Sequence, residues 1–180
     1  MLDLTVLVGN PRPGSRTRAV AEEIARSLAA AVAAAGHEVG SVRTLELAEI
    51  VAYTLGTSPV APTSPVPDAV DIVRASRLLV VATPSYKGTY TGLLKIFLDQ
   101  LPHLGLAEVV AVPVAVAGSP AHAEATGAAL AMLLRELGAD VPAVVSVLDG
   151  RITDPAYVLD EAARIVGEVV AVLDGESLKS

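Results

Sequence analysis

The chain has 180 residues, 52% of them apolar, with no cysteine and a formal net charge of −7. That length suits one domain spanning residues 1–180 with a substantial core. The acidic balance opposes broad binding to nucleic acid, which needs a basic face. The lack of cysteine excludes disulfides, thiol catalysis and thiolate metal sites. No apolar run reaches the ~20 residues of a bilayer span, and Met1-Leu2-Asp3-Leu4 lacks the basic start of a signal peptide. The expectation is a cytoplasmic protein with no membrane partner.

Leu4–Val8 is a short apolar run ended by Gly9 and Asn10, the mark of a buried strand. Val20, Ile24, Leu28 and Val32 recur at four-residue steps, which predicts a helix from Thr17 to about Ala35, stopped by Gly36. A second strand is expected within His37–Leu45. Tyr53 to Pro67 carries Pro59, Pro62, Pro65 and Pro67 and is expected to be a loop. A short helix at Asp68–Ala75 and a fully apolar strand at Leu78–Ala82 come next.

A helix is expected over Tyr90–Leu101, then a strand over Val109–Ala117. A long helix over Ala121–Leu137 is closed by Gly138, and a last strand spans Val141–Leu148. The final helix is expected over Asp154–Leu173, capped by Thr153 or Asp154, and Gly175–Ser180 is expected to be a frayed tail. The Tyr90–Leu101 helix is apolar almost all round (Leu93, Leu94, Ile96, Phe97, Leu98, Leu101), so it is expected to be buried, partly in a subunit interface.

Strands that alternate with helices and are continuously apolar point to a parallel sheet covered on both faces. Five strands suggest an α/β, flavodoxin-like, three-layer α/β/α fold with strand order 2-1-3-4-5. In that order the turns after the first and third strands flank one crevice.

The first of those turns is Gly9-Asn10-Pro11-Arg12-Pro13-Gly14-Ser15-Arg16-Thr17. Arg12, Arg16 and Arg18 bring three of the chain's 13 basic residues within seven positions. A helix start offers unpaired N–H groups and partial positive charge. Ser15 and Thr17 add hydroxyls, Asn10 an amide and Arg12 or Arg16 a charged fork, which together suit a phosphate monoester. Gly9 and Gly14 have P-loop spacing, but Ser15-Arg16 stands where Lys-Ser/Thr belongs. The G-x-G-x-x-G dinucleotide fingerprint is also missing. Ordinary helix capping is the competing reading of this turn.

The second turn, Pro84-Ser85-Tyr86-Lys87-Gly88, offers shaped backbone and an exposed aromatic to a flat heterocycle. The third, Gly118-Ser119-Pro120-Ala121-His122, is small enough for close backbone approach. His122 is expected to cap or pack, with contact to a flavin or nicotinamide as the alternative, and His37 and His103 have no partner at metal spacing.

These three turns resemble those of the NADPH-dependent FMN reductases of flavodoxin-like fold, and most of all the branch that supplies reduced flavin to alkanesulfonate monooxygenases. Pro84-Ser85-Tyr86-Lys87, followed by Tyr90-Thr91-Gly92 and Leu94-Lys95, is the most specific match, and the resemblance runs from Met1 to about Val147. It implies that Asn10, Arg12, Ser15, Arg16 and Thr17 hold the FMN phosphate. It implies that Pro84, Ser85, Tyr86, Lys87 and Gly88 hold the ribityl chain and ring, with Gly118 and Ser119 at the ring's border.

The cofactors implied are FMN with NADPH or NADH. Hydride passes from nicotinamide to flavin, so no protein acid or base is needed and no catalytic residue is named. A partner monooxygenase and a homodimer or homotetramer are implied as well. Thr126-Gly127-Ala128-Ala129 departs from that branch, which has an aromatic residue and a widened helix there. The departure leaves open a protein that retains its flavin. The alternatives are an FMN-bound quinone or azo-dye reductase and a flavodoxin-type electron carrier.

Overall fold

The computed structural model describes residues 1–50 and 66–175. The elements in chain order are β1 (Leu2–Val8), α1 (Arg16–Ala34), β2 (Val39–Glu46), α2 (Leu47–Ile50) and α3 (Val66–Ala75). They continue with β3 (Leu78–Pro84), α4 (Gly92–Leu98), β4 (Val110–Ala117), α5 (Pro120–Glu136), β5 (Val145–Leu148) and α6 (Pro155–Leu173). A 3₁₀ turn, Asp149–Arg151, links β5 to α6. The five strands form one sheet in the order β2-β1-β3-β4-β5, and every pairing is parallel. This is the flavodoxin-like arrangement expected from the sequence.

Alternation along each strand feeds two cores. Leu4, Val6 and Val8 of β1 pack with Val80, Val112 and Val114 beneath α1 and α6. Leu7, Leu79, Val81 and Ala111 face the other way, toward α3, α4 and α5. Strands β3 and β4 are buried along their whole lengths, which is why their sequences are continuous apolar runs. Edge strand β2 is mostly half-buried or exposed.

Three expectations change in detail. The last strand begins at Val145 rather than Val141. Asp140 makes only an isolated bridge to Val110, and Ala111 N–H donates to the Asp140 carbonyl (2.7 Å). Two residues on, on the same side of β4, Pro113 has no N–H to continue that ladder, and Pro142 lacks one in turn. Pairing resumes at Val114 with Val145.

The helix expected over Tyr90–Leu101 is shorter, and it is not buried all round. It buries Leu94, Phe97 and Leu98, while Ile96 is exposed and Lys95 pairs with Asp99 in solvent. Val66 and Pro67, placed in the loop by sequence, begin α3. The rest of that loop and the tail beyond Gly175 lie outside the described residues.

One close approach decides how the first turn meets the sheet. A Cβ on Gly9 would lie 2.8 Å from Leu94 Cβ, so only glycine lets β1 end against α4 at this distance. Gly9 N–H donates to the Ala82 carbonyl (2.8 Å), which fixes the first turn beside the end of β3.

Candidate functional site

All five strands run in one direction, so the turns after β1, β3, β4 and β5 gather at one edge of the sheet. They enclose a cavity of about 460 Å³, within the ~300–1,000 Å³ range of small-molecule sites. Of the twelve residues singled out by sequence, nine line it: Asn10, Arg12, Ser15, Arg16 and Thr17 from the first turn, Pro84, Ser85 and Tyr86 from the second, and Gly118 from the third. Lys87, Gly88 and Ser119 do not.

The first turn is organised by its own side chains. Asn10 is buried; its Oδ1 accepts from Arg12 N–H (2.9 Å) and its Nδ2 donates to Thr17 Oγ1 (3.1 Å). Both ends of the amide therefore shape the turn. Ser15 caps α1, its Oγ accepting from Arg18 N–H (3.3 Å). Among the described residues, that leaves the hydroxyl protons of Ser15 and Thr17 free to donate. The N–H groups of Arg16 and Thr17, first and second in the helix, have no intrahelical acceptor by geometry. A capped helix start can thus still present donors to an anion.

The three arginines separate. Arg18 turns away, its Nε donating to Glu22 (2.9 Å) and its Nη1 to Glu46 (2.8 Å). Hydrogen bonds to Glu22 and then Glu46 hold the Arg18 guanidinium above its ordinary pKa. Glu46, only 4% exposed, also accepts from Gly14 N–H (3.0 Å) and so staples the turn to the end of β2. Arg16 forms an ion pair with Asp149 (2.8 Å), which itself lines the cavity. Arg12 has no ion-pair partner among the described residues.

The second turn is a tight reversal. Tyr86 N–H donates to the Thr89 carbonyl (2.9 Å), and Lys87 and Gly88 have φ of 56° and 83°. Two successive positive φ values make a type I′ turn. Lys87 and Gly88 form its tip, and the half-exposed Tyr86 lies at its base against the cavity. Ser85 N–H donates to the Val116 carbonyl (2.8 Å), and its Oγ accepts from Thr126 Oγ1 of α5 (2.7 Å). The Ser85 hydroxyl proton is thereby left for a ligand.

In the third turn Ser119 caps α5 by accepting from His122 N–H (3.4 Å). A Cβ on Gly118 would meet no protein atom within 4 Å. The bare backbone there is not demanded by packing, and it suits a flat group seated in the cavity.

Sequence reading missed Glu46 and Asp149, and it named Thr91 and Thr126 only within longer stretches, with no role for either side chain. Asp149 had a usable signal: it is the first residue after a strand whose end opens on the crevice. Glu46, a lone carboxylate closing β2, had a similar one. Thr126 is set by helix packing, which no local pattern encodes. No helix of the described residues is long and apolar enough to cross a membrane, and no three potential metal ligands converge among them.

The model of the NADPH-dependent FMN reductase family matches residues 2–153. The chain belongs to that family. It is 40% identical over 82 residues to an FMN reductase (NADPH) of Escherichia coli K12, a match covering 46% of this chain and 40% of that protein. It is 44% identical over 61 residues to one from Pseudomonas putida, covering 34% and 31%. The matches thus span less than half the length of either relative. Among solved structures, an oxidoreductase from Corynebacterium diphtheriae superposes with a TM-score of 0.78 at 31% identity, over 98% of this chain and 99% of that one. The apo form of an NADH:FMN oxidoreductase does so with a TM-score of 0.72 at 26% identity, over 100% and 92%.

Proposed function

We propose that this family member is an NAD(P)H-dependent FMN reductase. The observation that carries the reading is the convergence of the three turns, with nine of the twelve expected residues, on one cavity. The phosphate of FMN is assigned to the Arg16 and Thr17 N–H groups, the Ser15 and Thr17 hydroxyls and the Arg12 and Arg16 guanidiniums. Asn10 holds that cradle in shape. Pro84, Ser85, Tyr86 and Gly118 face the ribityl chain and ring, while Lys87, Gly88 and Ser119 fix the turns around them.

FMN, when bound, supplies the hydride acceptor and the reduced nicotinamide the donor. The protein's part is to bind and orient the two, with no protein proton transfer required. Purified protein mixed with FMN and NADPH, or NADH, should oxidise the nicotinamide well above the enzyme-free rate. No acceleration with either nucleotide would overturn the reading.

We further propose a cytoplasmic enzyme whose reduced flavin serves a partner monooxygenase, and a homodimer or homotetramer. The exposed Ile96 on α4, beside the half-buried Leu93, supports self-association. Light scattering that finds only monomer at micromolar concentration would overturn that part.

A further inference from the structure

We propose that Asp149 is a competing counter-ion for Arg16 that weakens the hold on the flavin phosphate and so makes FMN exchangeable. The inference rests on assigning the phosphate to the first turn. Arg16 comes from the turn after β1 and Asp149 from the turn after β5, strands separated in the sheet by β3 and β4. Their 2.8 Å ion pair therefore straps two sides of the same cavity, which both residues line.

Asp149 is held in place from behind. Leu148 N–H donates to the Tyr157 hydroxyl (3.1 Å), and the Arg151 guanidinium sits 4.0 Å over the Tyr157 ring. The carboxylate is thus presented by an anchored turn at the end of β5. A phosphate seated at the start of α1 has to share the Arg16 fork with it or displace it. The side chains lining the cavity carry two positive charges, Arg12 and Arg16, and one negative, Asp149. The net of +1 is half what the arginines alone would give.

As a structural strap the pair does little. The Arg16 and Asp149 side chains are 65% and 36% exposed, and ion pairs of that kind contribute weakly to folding. The same carboxylate facing a phosphate of nearly two negative charges acts on a larger opposing charge. Its main consequence is on ligand affinity, and through affinity on release, because related complexes differ mostly in off-rate.

The test compares FMN with riboflavin, which lacks the phosphate, by flavin fluorescence titration and stopped-flow release. Asp149→Asn removes the charge but keeps an oxygen that accepts from Arg16. It should tighten FMN binding about fivefold, slow FMN release by a similar factor and leave riboflavin binding unchanged. In an Arg16→Ala background the same substitution should have a smaller effect, because the competition for the guanidinium is gone. Unchanged or weaker FMN binding in Asp149→Asn, with the wild type still preferring FMN, would overturn the inference alone. Equal wild-type affinity for FMN and riboflavin would overturn the phosphate assignment beneath it.

Discussion

The hydroxyl of Thr91 donates to the carbonyl of Gly9 and accepts the amide N–H of Leu94 (3.2 Å). One buried side chain thus caps α4 and ties the segment after β3 to the turn after β1. The Thr91 N–H donates in turn to Thr83 Oγ1 (3.2 Å), so the turns after β1 and β3 are tied to each other through one residue. Thr91→Val keeps the shape and loses both hydroxyl bonds. A lost cap costs about 1 kcal/mol, and a buried carbonyl stripped of its partner about 1–3 kcal/mol. Denaturant unfolding should show a loss of roughly 2–4 kcal/mol; a loss near zero would mean that Thr91 ties nothing.

Gly88 isolates the effect of backbone conformation. Its φ is 83°, and an added Cβ would meet no atom within 4 Å. Gly88→Ala therefore tests the left-handed conformation with no steric clash. That conformation costs a non-glycine residue about 1–2 kcal/mol, and thermal unfolding should report a loss of that size. A neutral result would show that the turn at Tyr86–Thr89 re-forms in another shape.

What the sequence made legible follows from range. Continuous apolar runs at Leu78–Ala82 and Val109–Ala117 announced central parallel strands because burial on both faces leaves no room for polar alternation. Thr153-Asp154 signalled the start of the last helix through local capping, and of the two Asp154 caps it. Turn chemistry placed most of the cavity lining for the same reason. What stayed hidden is non-local. The loss of Val141–Val144 from β5 depends on Pro113 in a neighbouring strand. The turning of Arg18 away from the cavity depends on Glu46, which is 28 positions away. The partnership of Arg16 with Asp149 needs the strand order before it can be seen.

The acid side of the stability profile should depend on Glu22. Burial raises the pKa of its carboxyl, but hydrogen bonds from Arg18 and Thr44 and the nearby positive charge outweigh that, and the net shift is downward from the ordinary 4.5. A carboxyl lowered on folding contributes stability above its unfolded pKa and loses it as pH falls through the folded one. Glu22→Gln should therefore lower the melting temperature by a constant amount above pH 4.5, and the gap to wild type should close as pH falls below that value. A gap that persists into strong acid would show that the substitution acts through packing instead.

The phosphate assignment is sharpest at Arg12 and Ser15. Arg12 lines the cavity with no ion-pair partner among the described residues, and Ser15 offers a hydroxyl proton while its oxygen caps α1. Replacing both with Ala removes one charged and one hydroxyl donor from the cradle. Each charged hydrogen bond lost costs about 1.5–3 kcal/mol, so FMN affinity should fall by at least roughly tenfold. Ser15→Ala also costs α1 about 1 kcal/mol of capping, and the riboflavin titration controls for that. Riboflavin has no phosphate, so its affinity should stay at the wild-type level if the pocket is intact. Equal weakening of both flavins would mean that the turn acts only as a helix start, and the phosphate would have to be sought at another edge of the cavity.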